Sequence, residues 1–267
     1  MRDRRCNMKN KRIYICENSV EGIFTGIYDA WSSRYGHENN RIEVHMELES
    51  GRNLELFSDY IYVNTDQEKA DKVAKAVKEK ISMEAYDMVC HGVWSDKADK
   101  ADIIYRFLIL GFSMGARVVN HLGNDIVMSL FEMNRNVSNE SHHYLGFLRF
   151  KEISNHILFA NINPKNDILR LIAPHFSDRL SNENFLIYDE NRKTCIIHKV
   201  SYPWIYTMGD TINLDSILEF SEEEEKFQCL WKTFFETIGI DERRNDKLQR
   251  NNLPLRFRNN MIEFKKS

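Results

Sequence analysis

The sequence predicts an α+β fold: a helical N-terminal half, and a C-terminal half of mixed strands and helices in irregular order. Three observations lead there. Before residue 146, apolar residues recur mainly at helical spacing; after it, several segments alternate with a period of two. Strands and helices never settle into the steady βαβ alternation of a doubly wound parallel sheet. A chain of 267 residues, 42% hydrophobic and 12% aromatic, buries a sizeable core without staples. Four prolines and eleven glycines leave little material for long linkers. A single domain over residues 1–267 is therefore expected, softly subdivided near residue 145.

Taken in order, Arg12-Ile-Tyr-Ile-Cys16 reads as a first strand. Ser19 is a good N-cap, with Glu21 in the first turn, for a helix carrying Ile23, Phe24, Ile27, Tyr28 and Trp31 to about Tyr35. Residues 42–46 and 60–63 read as short strands. Thr65 or Asp66 caps a second helix whose Ala70, Val73, Ala74, Val77 and Ile81 share one stripe. Residues 83–146 read as mostly helical, with an apolar helix through Ile103, Phe107 and Leu108 that ends near Gly111 or Gly115. Residues 147–150 and 156–161 then read as paired strands around a Ser154-Asn155 turn. A helix over residues 166–176 contains Pro174, where a kink or break is expected. Residues 184–189 and 194–198 flank Glu190-Asn-Arg-Lys193 as a hairpin. Ser221 caps a last helix, with Phe227, Leu230, Trp231, Phe234, Phe235 and Ile238 expected inward.

Composition excludes several function classes. The five cysteines are scattered, odd in number and without a CxxC pair, which suits reduced thiols in a cytoplasmic protein. The same scatter excludes a three-cysteine radical-SAM cluster motif. No apolar run approaches the ~18 residues that span a membrane. Residues 1–12 hold six basic and one acidic side chain, and residues 241–267 eight basic and four acidic, so the body between them is acidic. Basic ends of this kind either approach a polyanion or are simply solvated. There is no P-loop, GxGxxG, GxSxG or HExxH, and no zinc-deaminase signature, so no cofactor is assigned.

The densest polar chemistry is Glu140-Ser-His-His-Tyr-Leu-Gly-Phe-Leu-Arg-Phe150. Glu140 and His143, three residues apart, share a helix face, whereas His142 and His143 diverge by about 100°. A Glu-x-x-His pair belongs to di-iron bundles, but no second pair is present, so no metal site is assigned. Glu140, His142, His143 and His175 are acid–base candidates; the alternative is a buried hydrogen-bond network joining helix to strand. Arg149, between Phe147 and Phe150, either pairs with phosphate or forms an internal salt bridge to Glu140 or Asp189. His175 and Arg179 share a helix face, and with Asp189 they would make a polar cleft. Arg243, Asn245, Arg256 and Arg258 suit a phosphate backbone.

Several separated segments, read in order, carry a resemblance: the run from Ser19 to Ala30, the Glu140–Phe150 segment, His175-Phe-Ser-Asp-Arg-Leu180, Phe185-Leu-Ile-Tyr-Asp189, Leu230-Trp-Lys-Thr-Phe-Phe235, Ile240-Asp-Glu-Arg-Arg-Asn245 and Leu253-Pro-Leu-Arg-Phe-Arg258. Together they resemble a bacterial family of DNA metabolism or DNA repair proteins. Some of its members are fused to a uracil-DNA glycosylase-like domain, and many are encoded beside a radical-SAM DNA repair protein. Relatives tend to read Met-Pro-x-Arg-Tyr-Trp where this chain has residues 253–258. The resemblance implies a DNA-engaging partner of a radical-SAM enzyme, acting on single-stranded or damaged DNA. The alternative is an enzyme acting on damaged or modified nucleotides through the Glu/His cluster.

Overall fold

The computed structural model describes residues 10–45, 55–153, 156–209, 222–238, 240 and 243–264. It has an α+β architecture in two compact units, Met1–Ser138 and Asn139–Ser267.

The first unit, expected to be a largely helical half with three short strands, gathers those strands into one parallel sheet. Strand β1 (Lys11–Cys16) lies between β2 (Asn40–Val44) and β3 (Ser58–Tyr62), parallel to both. The helical period marks helices locally, but nothing local marks which distant segments pair. Between β1 and β2 runs helix α1 (Val20–Ser32), started by Ser19, whose Oγ accepts the Gly22 N–H at 3.0 Å. A side chain at Gly26 would overlap the Cys16 sulfur, so glycine here lets α1 lie close against β1. Helix α2 (Gln67–Lys80) is capped by Asp66 and buries Ala70, Val73 and Val77. Helix α3 (Met83–Val93) is capped by Ser82. Its last carbonyl, and that of Ser95 just beyond the helix, are held by the buried ammonium of Lys100, 2.6 Å from Val93 O and 2.8 Å from Ser95 O. Helix α4 (Lys100–Met114) stops at Gly115, whose φ of 65° suits glycine. Phe24, Tyr105, Phe107, Leu108 and Leu130 are the large residues of this core. Helix α5 (Asp125–Phe147) belongs to this unit up to Ser138 and to the second unit beyond it.

The second unit is a five-stranded sheet in the order β4-β5-β6-β7-β8: Lys151–Ile153, Ile157–Ile162, Asn184–Asp189, Thr194–His198 and Ile205–Met208. All neighbours are antiparallel except β5 and β6, which are parallel and joined through helix α6 (Leu169–Arg179). The predicted strand at 147–150 does not form: α5 runs on to Phe147, residues 148–150 are a connection, and pairing starts only at Lys151. The proposed Ser154-Asn155 turn and the Ser221 cap lie outside the described residues. Helix α6 passes through Pro174 without a break. Pro174 and Arg170 are both exposed, so the carbonyl deprived of its N–H partner sits on the solvent side. The hairpin over β6 and β7 forms as expected, with Asp189 opposite Thr194. Helix α7 (Glu222–Thr237) and the short helix α8 (Asp246–Asn252) follow, then 3-10 turns at Leu255–Asn260 and Ile262–Phe264.

One expectation for α7 is reversed. Phe227 and Leu230 are each 64% exposed, Trp231 41%, Phe234 51% and Ile238 57%. The helix instead turns inward its Glu224, Gln228 and Phe235 edge: Glu224 accepts the Glu152 N–H at 3.0 Å and Phe235 meets the Phe264 ring at 5.5 Å. A helical period identifies residues that share a face; it does not say whether that face looks in or out.

Candidate functional site

The parallel pair β5/β6 sets the site. Ile162 stands opposite Asp189, so both strands end together, and the carboxyl ends of parallel strands are where open sheets gather ligands. Here that edge is occupied by the protein's own polar groups. Glu140, on the last turns of α5, is 2% exposed. Its Oε2 accepts the Asn166 backbone N–H and the Asn166 side-chain amide, both at 2.7 Å, and its Oε1 accepts the Lys165 N–H at 3.1 Å. Arg256 reaches the same Oε1 at 3.2 Å and lies over the Phe257 ring at 4.6 Å. The carboxylate thus fastens the loop between β5 and α6 to α5 and to the chain's end.

Asp189 does the corresponding job at the end of β6. It is fully buried and accepts the Asn191 N–H at 2.9 Å and the Arg192 N–H at 3.3 Å; the Arg192 guanidinium lies at 3.0 Å. Burial raises its carboxyl above the ordinary range, with Arg192 and the turn N–H groups pulling the other way. Arg192 also donates to the carbonyls of Pro164 and Lys165, and Asn191 to Pro164 O at 2.8 Å. Glu190 accepts from Asn161 and Asn163, and Asn260 donates to Asn163 Oδ1 at 2.7 Å. Glu140 and Asp189 are therefore tied through one loop, residues 163–166.

The other predicted residues are placed as follows. His142 is exposed, while His143 stacks on Phe147 (5.5 Å) and meets the Phe257 edge at 5.2 Å. Burial, then Arg256, then His142 hold the His143 imidazole below its usual range, Glu140 acting in the opposite sense; its Nδ1 is buried without a hydrogen-bond partner. Arg149 is taken up internally, but by neither carboxylate expected for it. Its Nε and Nη2 donate to Glu263 Oε1 at 3.2 and 3.0 Å, and its Nη1 to the carbonyls of Gly146 and Leu148. His175 and Arg179 lie exposed on α6, and Asp189 is engaged by Arg192 instead of joining them. Asn245 caps α8 by accepting the Leu248 N–H at 3.0 Å, Arg243 is exposed, and Arg258 donates to Leu253 O.

Sequence reasoning missed Asn161, Asn163, Asn166, Glu190, Arg192 and Glu263. The Asn161-Ile-Asn-Pro-Lys-Asn166 cluster after a strand was the available signal for the loop; Glu263 had none. Among the described residues, no group of three or more His, Cys, Asp or Glu is placed to hold a metal ion, and no helix is long and apolar enough to cross a membrane.

A family model described as a domain of unknown function, DUF4130, matches residues 98–263. No curated protein matches the chain.

Proposed function

The chain belongs to the DUF4130 family, and we propose that it serves in DNA repair or modification as a DNA-engaging partner of a radical-SAM enzyme. The observation that carries this reading is helix α7. It presents Phe227, Leu230, Trp231, Phe234 and Ile238 to solvent along one face while docking through the neighbouring edge that carries Glu224 and Phe235. Contiguous exposed apolar faces mark interaction surfaces, and aromatic anchors dominate interface energy. The choice of partner comes from the resemblance of the sequence segments to a family paired with radical-SAM proteins.

The enzyme reading draws less support. Glu140 spends both oxygens on backbone, amide and guanidinium donors, which leaves it poorly placed to move a proton. His175 lies on an exposed helix surface, its ring against Phe176 at 5.1 Å. Immobilised radical-SAM protein tests the proposal: it should capture the wild-type chain and lose the Trp231→Ala/Phe234→Ala variant. Equal capture of both would remove α7 from the interface. Turnover of a damaged oligonucleotide by the purified chain alone would restore the enzyme reading.

A further inference from the structure

The first unit carries a cleft of about 470 Å³ between α1, α2 and the end of α4, remote in sequence from every candidate above. Its walls are aromatic: Tyr28 and Trp31 from α1 and Phe112 from α4. Trp31 is held in place by T-shaped contacts to Phe112 at 5.2 Å, His37 at 4.6 Å and Tyr105 at 6.4 Å, yet it remains 36% exposed. A ring packed among its neighbours and still open to a cleft offers a preorganised stacking surface. Its orientation costs nothing further on binding.

The rim is cationic. Lys72 and Lys80 stand two turns apart on α2, with Val73 and Ala76 between them lining the cleft. Lys69, on the same helix, is neutralised by Asp29 at 2.8 Å. Lys72 and Lys80 have no carboxylate partner among the described residues; the Lys72 ammonium lies 5.8 Å from the Tyr28 ring. Two unneutralised ammonium groups beside an aromatic wall match a flat ring that carries an anion.

We propose that this cleft binds a nucleotide unit, its base against Trp31 and its phosphate between Lys72 and Lys80. Stacking on aromatic rings and lysine contact to phosphate are the two components of sequence-tolerant single-strand binding. The proposal stands on the first unit alone and does not depend on the partner engaged by α7. The same chemistry fits a free mononucleotide or one nucleotide of a strand, and the experiment separates the two.

The test is anisotropy of a labelled oligothymidylate about ten nucleotides long on the full chain, with thymidine monophosphate as competitor. Lys72→Glu/Lys80→Glu changes two exposed positions and leaves the core alone. It should weaken binding and lower the salt dependence, because single-strand contacts release roughly 0.7 counterion each. Trp31→Leu should weaken binding roughly tenfold. Displacement by the monophosphate at similar affinity assigns the cleft to free nucleotides, and binding of the oligomer alone assigns it to strands. Circular dichroism confirms that the variants fold. If Trp31→Leu does not fold, the lysine variant decides by itself. Binding unchanged in a folded lysine variant, or no binding of either probe at low salt, overturns the proposal.

Discussion

Two regions of the second unit invert the usual rule of apolar inside and polar outside. Around Glu140 and Asp189, charged groups are buried, each ringed by donors. Along α7, large apolar groups are exposed. Burying an unpaired charge is costly, so the donors around Glu140 and Asp189 tie down the chain that carries them. Exposing an aromatic stripe is unfavourable for an isolated chain, and the proposed partner would relieve it. The richest polar motif of the sequence thus holds the fold. The surface open to recognition is one that its pattern alone would assign to the core.

The comparison breaks first at Glu140. Glu140→Ala strands two backbone N–H groups and the Asn166 amide, and leaves Arg256 without its carboxylate. A loss of roughly 3–5 kcal/mol is expected by urea denaturation. A loss under about 1 kcal/mol would show that Glu140 is not a structural hub. Next comes Arg149→Met, which leaves the buried Glu263 carboxylate unpaired. About 2–3 kcal/mol should be lost, and changing Glu263→Gln in the same chain should recover part of it. An unaltered denaturation midpoint would mean that the ion pair contributes nothing to stability.

A smaller effect sharpens the comparison through pH. The folded chain disfavours protonation of His143, whose ordinary value is 6.5. The unfolded chain accepts that proton more readily, so stability is complete above the ordinary value and declines as pH falls through the window beneath it. Asp189 works in the opposite sense. Its carboxyl is raised from 3.8, so its contribution favours the folded state at low pH and fades as pH rises through the raised value. His143→Phe keeps ring contact with Phe147 and Phe257 and should flatten the decline in melting temperature below pH 6.5. A variant that declines as steeply as wild type would remove His143 as its source.

These contrasts show which features were legible in the sequence. Helix α2 was: Asp66 caps it, and Ala70, Val73 and Val77 lie inward as their spacing requires. So were β1 and the β6–β7 hairpin, whose signals are local. The parallel pairing of β1 with β2 and β3 was not, because parallel partners are set by tertiary packing. Nor was the partner of Arg149, which lies 114 residues away along the chain. The segment Glu140–Phe150 stands out in the sequence as a crowd of polar groups among apolar ones. Whether such a crowd is open or enclosed depends on residues 163–166 and 256, which no spacing rule connects to it. For α7 the stripe was legible and its direction was not.

The most direct test of the central claim is the affinity of the proposed radical-SAM partner for the Trp231→Ala/Phe234→Ala variant, measured on protein whose melting curve matches wild type. Both side chains are exposed, so folding should be nearly unaffected, within about 0.5 kcal/mol. Binding should weaken more than tenfold, since aromatic anchors carry a large share of interface energy. A variant that melts like wild type and binds the partner just as tightly would contradict the account.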